Sequence, residues 1–258
     1  MKRLNHLCLR WVAAALVAVA VVPSAARAAV LAPNTPVAGA SQAAWGDRWW
    51  QWALSYPSGA NPLEDTTGAR SALGDRGNVF FLAAATFAGP VNRAATVRQG
   101  QTLLIPLGNA VSWIPTFGNT EAEIRLDAAA TDGPASGLFL TIDGAAAPLP
   151  ASAPSLMNFR QVTPPGTFPL TFPVNNIFGA PVGTFQSVSD GYWVMLDGLS
   201  PGAHTLHFGG HFAGTPNLLY PPFDVDMTYA LTVVPAPEPS ALAVLAVVAA
   251  GVITRRRR

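Results

Sequence analysis

Four side chains near the C-terminal end have the types and spacing to hold a divalent metal: His207, His211, Asp224 and Asp226. On a β-strand His207 and His211 share a parity and project away from Leu206 and Phe208, while His204 falls on the inner parity. If that strand pairs antiparallel with the next, Asp224 and Asp226 reach the same outer face. Two imidazoles and two carboxylates are a ligand set for a divalent ion, and the chemistry they would serve is metal-assisted hydrolysis by a secreted enzyme. A solvated strand face is the simpler reading, because strand histidines lack the tight spacing of helical metal motifs. Gly209-Gly210 is also placed to bulge the strand and break the parity.

A second set of residues suits binding. Trp45, Trp49 and Trp52 recur at spacings of four and three, so a helix starting after Ser41 and stopped before Pro57 carries the three indoles on one face, with Trp50 to the side. Such a stripe either docks the helix on its domain or stacks against sugar rings. No Gly-x-Ser-x-Gly elbow, phosphate loop or dinucleotide fingerprint is present, and the carboxylates are too scattered to choose a glycosidase pair. Asp65, Asp75, Asp190 and Asp197 lie beside glycine or turn residues and read as turn formers, or as calcium ligands in loops.

The elements that must position these residues are mostly strands. Val79–Thr86, Ala95–Arg98 and Thr102–Leu107 read as strands, the last two joined as a hairpin by Gln99-Gly100. Residues 121–130 fit either a short helix or a polar edge strand. Leu138–Ile142 is a strand closed by Asp143-Gly144, and residues 159–178 read as a long crossing loop with short extended pieces. Tyr192–Leu196 and Thr205–Phe212 flank a Gly- and Pro-rich turn. In Phe223–Val234 apolar and polar residues alternate, as in a strand with one wet face. The expected fold is mainly β, a β-sandwich of immunoglobulin-like or jelly-roll-like kind with one N-terminal amphipathic helix, formed by residues 29–234 as a single domain.

The ends of the chain read differently. Lys2, Arg3 and Arg10 precede an apolar run over residues 11–22, then Pro23 and small residues including Ala26-Arg27-Ala28. This is the order of a secretory signal peptide, with cleavage by signal peptidase expected after Ala28. Cys8 lies inside that segment, so residues 29–258 carry no cysteine, and a disulfide framework or thiol nucleophile is excluded. At the other end a proline-rich stretch leads into a second apolar helix over residues 241–253 and four terminal arginines, an arrangement expected to insert in the inner membrane with the arginines on its cytoplasmic side. Between these ends, seven arginines and no lysine stand against fourteen acidic residues, leaving a formal charge of −7 on residues 29–239. With no basic stripe, nucleic acid is not an expected partner.

The tail, Pro237, Glu238 and Pro239, then residues 241–253, then Arg255, Arg256, Arg257 and Arg258, resembles the PEP-CTERM sorting signal. That resemblance covers residues 235–258. It implies recognition by an exosortase, a membrane-embedded cysteine protease, in a Gram-negative bacterium that makes exopolysaccharide and grows in flocs or biofilms. The protein is then a substrate, anchored transiently in the inner membrane before release to the cell surface or the medium. The block Ser189–Leu196 with Leu199–Thr205 also resembles secreted bacterial domains of unassigned activity, in which a cysteine pair lies near the positions of Ser71 and Ala95 here. Together these features lead to the expectation of a non-enzymatic surface or matrix protein that binds extracellular polysaccharide, with no cofactor.

Overall fold

Apolar residues at every second position oblige a strand to bury one face, and in Phe223–Val234 the residues Met227, Tyr229, Leu231 and Val233 are buried while Ala230 and Thr232 are exposed. The structure is a computed structural model that describes residues 28–85, 89–132, 135–214 and 221–236. In chain order it contains β1 (Ala29–Val30), α1 (Gln42–Ala53), β2 (Asp75–Arg76), β3 (Val79–Phe81), β4 (Val91–Arg98) and β5 (Thr102–Trp113). There follow α2 (Glu121–Thr131), β6 (Ala135–Ile142), β7 (Ala145–Ala146), β8 (Arg160–Val162), β9 (Phe168–Phe172), β10 (Gly183–Asp197), β11 (Gly202–Phe212) and β12 (Phe223–Val234).

These strands form a β-sandwich of two mixed sheets. The first runs β1-β10-β5-β3-β2, with β8 and β9 also paired to β10; the second runs β4-β12-β11-β6-β7. Most pairs are antiparallel, but β3 lies parallel to β5 and β4 parallel to β12. Between the sheets, Leu103, Ile105, Val194, Leu206, Phe208 and Leu231 share one core. A second core lies on the opposite face of the first sheet, where α1 seats its indoles on Phe81, Leu104, Trp193 and Met195. Both faces of β5 and β10 are therefore buried.

One connection differs from expectation. The turn at Gln99-Gly100 does not close a hairpin: β4 belongs to the second sheet and β5 to the first, so the chain crosses from sheet to sheet there. Gly100 supplies a positive φ of 84°, but such a turn is compatible with paired or diverging strands, and the burial demands of β5 decide the outcome. Likewise β10 and β11 lie in different sheets, bridged by residues 198–201. Residues 121–130 are helical. Thr120 and Glu123 form a reciprocal capping box at the start of α2, and Ile124 and Ala128 pack against Val188. The region expected as a loop over 159–178 supplies β8 and β9, which cover one edge of β10.

At Asp143-Gly144 both residues have positive φ, 53° and 80°, the geometry of a tight hairpin turn between β6 and β7. Gly108 has a different task. A Cβ there would lie 1.9 Å from Cζ of Phe212, so the two sheets approach this closely only over a glycine. Among the described residues no helix is long and apolar enough to cross a membrane. The expected signal helix and the apolar tail helix fall outside the described residues.

Candidate functional site

The pairing of β11 with β12 is continuous from Gly202 to Phe212 and sets His211 opposite Asp224 and Gly209 opposite Asp226. The irregularity at Gly209 to His211 is confined to the β6 side. His207, His211, Asp224 and Asp226 therefore occupy one partly exposed face, but as two separate pairs. Nε2 of His207 is 2.8 Å from Oδ1 of Asp226, and Nδ1 of His211 is 2.8 Å from Oδ1 of Asp224. Each imidazole is taken up by one carboxylate. Among the described residues, no three His, Cys, Asp or Glu side chains gather around a point where a metal ion would sit. His204 instead pins the crossing turn, with Nδ1 2.8 Å from Oδ2 of Asp143 and Nε2 2.9 Å from the Ser200 carbonyl. Burial opposes its charge, but the Asp143 carboxylate and the Ser200 carbonyl outweigh that and raise its pKa.

The tryptophan stripe faces inward. Trp45, Trp49, Trp50 and Trp52 are all buried, and Trp49 sits edge-on to Trp50, Trp52 and Trp193 at 5.0, 5.7 and 5.2 Å. The indole N–H groups of Trp45, Trp49 and Trp52 donate to the carbonyls of Val37, Leu82 and Leu73, each at 2.8 Å. The stripe of α1 is thus seated in the second core, and Trp45 and Trp52 border a surface hollow beside Arg48 and Phe81. Trp50, off the stripe, behaves differently. Its Nε1–H has no acceptor among the described residues, and its ring borders a groove.

That groove has two lobes, of about 250 Å³ and about 420 Å³, which share Trp50, Asn109 and Phe178 as lining residues. The first lobe continues to Met227 and to the Asp224 and Asp226 carboxylates at its rim; the second is walled by Val111, Trp113 and Phe117. Trp113 is the organising ring. Phe117 meets it edge-on at 4.5 Å, Phe172 tilts against it at 4.8 Å, and Phe178 stacks over it at 5.9 Å and 21°. Phe178 is 44% exposed, on the loop between β9 and β10. Nε1 of Trp113 and Nδ2 of Asn109 also lack an acceptor. Ligand sites are concave, mostly apolar and aromatic, with a few placed polar groups, and this groove has that constitution.

Segments far apart in the chain build it, among them α1, the last half of β5, the turn after β5, the loop after β9 and the start of β12. Their separation in sequence is why residue spacing missed Asn109, Trp113, Phe117 and Phe178. The nearest local signal was the Trp113 to Phe117 interval, which by itself says nothing about Trp50 or Phe178.

The carboxylates that read as turn formers divide. Asp65 accepts from the backbone N–H groups of Thr67, Gly68 and Arg70; burial alone would raise its pKa, but these bonds hold it at about 2. Asp75 and Asp197 cap Gly77 and Gly198 in the same manner. Asp190 does not form a turn. It lies inside β10, buried, in a two-pronged ion pair with Arg160 at 2.8 Å for both contacts.

Comparison with protein-family models, with curated proteins and with solved structures returned no match in any of the three. Pro237, Glu238, Pro239 and Arg255 to Arg258 lie outside the described residues.

Proposed function

We propose that this chain is an exported, surface-sorted bacterial protein without enzymatic activity, and that its β-sandwich binds extracellular polysaccharide in the groove between Trp50, Trp113 and Phe178. The groove carries the reading: aromatic walls suit the C–H faces of sugar rings, and the few polar groups among them suit hydroxyl and carbonyl oxygens. The ends of the chain support the delivery half. Residues 1–28 have the order signal peptidase accepts, and residues 235–258 have the order of an exosortase substrate, so the route runs from the inner membrane of a Gram-negative cell to its surface or medium. A cysteine-free body of charge −7 suits an extracellular matrix without nucleic acid. The hydrolase alternative has no comparable support, because the two His–Asp pairs do not converge.

Expression of the full chain in an exosortase-bearing host tests both halves. The wild type is expected in the surface and medium fractions, sedimenting with purified exopolysaccharide, and a chain lacking residues 237–258 is expected to lose its surface retention. Wild type confined to the cytoplasm, or soluble chain that never sediments with the polymer, would refute the reading.

A further inference from the structure

We infer that the groove selects neutral, acetylated sugars. This rests on the polysaccharide-binding reading and narrows it to a ligand class. The hydrogen-bonding character of the walls points to this class. Three donor nitrogens, on Trp50, Asn109 and Trp113, have no acceptor among the described residues, and the two tryptophans among them are at least nine-tenths buried. An unpartnered buried donor carries a desolvation cost of about 1–3 kcal/mol, so a ligand that brings acceptors recovers it and one that brings donors does not.

An acetamido or acetyl ester group answers this demand with a carbonyl oxygen that only accepts, beside a methyl group that fits against the Trp113 and Phe178 rings. An unsubstituted hydroxyl can accept too, but each one also brings an O–H that must find an acceptor of its own. Charge narrows the class further. Among the described residues lining the two lobes the charged ones are Asp224 and Asp226, with no lysine or arginine. A uronate polymer meets like charge there. A free amino sugar brings donors to a donor set. The nitrogen atoms are closed to water, so the acetyl group reaches them as the lining rings part, and Phe178, the half-exposed ring stacked on Trp113, closes over the bound methyl group.

Calorimetric titration of the full chain with tri-N-acetylchitotriose tests the inference against chitotriose, cellotriose and trigalacturonate. Saturable binding of the acetylated trisaccharide is expected, with the other three at least about tenfold weaker. Asn109→Leu and Trp113→Phe, each shown to be folded by near-ultraviolet circular dichroism, are expected to weaken it about tenfold by removing one donor. Phe178→Ala, at an exposed position where folding is not at stake, is expected to weaken it through the lost stack. Equal affinity for cellotriose, or unchanged affinity in all three variants, overturns the inference. Retention on exopolysaccharide with no response to the acetylated trisaccharide overturns the inference alone and leaves the broader reading standing.

Discussion

Arg93 occupies a position on β4 where alternation calls for an apolar side chain, between the buried Val91 and Ala95. Its guanidinium is buried and donates to the carbonyls of Asp65, Ala83 and Ala84 at 2.6, 2.7 and 3.0 Å and to the Tyr229 hydroxyl at 3.0 Å. That hydroxyl in turn donates to the Ala83 carbonyl at 2.8 Å, so one polar clamp joins the second sheet to the chain leaving β3. Arg93→Met keeps the bulk and orphans those acceptors, and urea unfolding is expected to show a loss of about 3 kcal/mol or more. Asp132 is the opposite case, a fully buried carboxyl whose two oxygens have no hydrogen-bond partner among the described residues. Burial, helped by the nearby Asp190 charge and only partly offset by Arg160, raises its pKa well above the ordinary value of 3.8. The folded chain therefore holds this proton more tightly than the unfolded chain, and the group's contribution to stability falls as pH rises from about 4 through the raised pKa. Asp132→Asn is expected to remove that fall and to be at least as stable as wild type near neutrality; an unchanged pH profile of unfolding would contradict it.

Elements were readable from the residues where the deciding forces are local. Ser41 caps α1 as its type and place suggest, accepting from the Ala44 N–H, and the period-two pattern of β12 survives into the fold because one face of that strand is core. Sheet membership is a non-local property, and the turn at Gln99-Gly100 looks the same whether its strands pair or part. The length of β5 was underestimated for a related reason: its last half, Gly108 to Trp113, lacks an apolar run and is held as a strand by pairing with β10. Gly108 also shows how tightly the elements meet. Gly108→Ala is expected to cost about 1–3 kcal/mol by driving Phe212 out of its place, with partial rescue by Phe212→Leu in the double variant, both read from thermal or urea unfolding. A single variant as stable as wild type would mean that the sheets do not rely on this approach.

At the scale of the whole molecule, residues 1–28 and 255–258 hold eight of the fifteen lysine and arginine residues and the lone cysteine, and the sandwich between them holds a groove that no single element defines. The tryptophan stripe that stood out in the sequence builds the core under α1, and the rings that line the groove with Trp50 come from segments brought together only by closure of the fold. The site was therefore legible as a composition rich in aromatics and poor in charge, but not as an address. The account's central claim is that the groove binds extracellular polysaccharide. The most direct measurement is the equilibrium affinity of the full chain for purified exopolysaccharide, compared between wild type and the Trp113→Phe/Phe178→Ala double variant, each with an intact near-ultraviolet spectrum. The prediction is saturable binding by wild type and a loss of at least about tenfold in the variant; equal binding by both, or none by wild type, would contradict it.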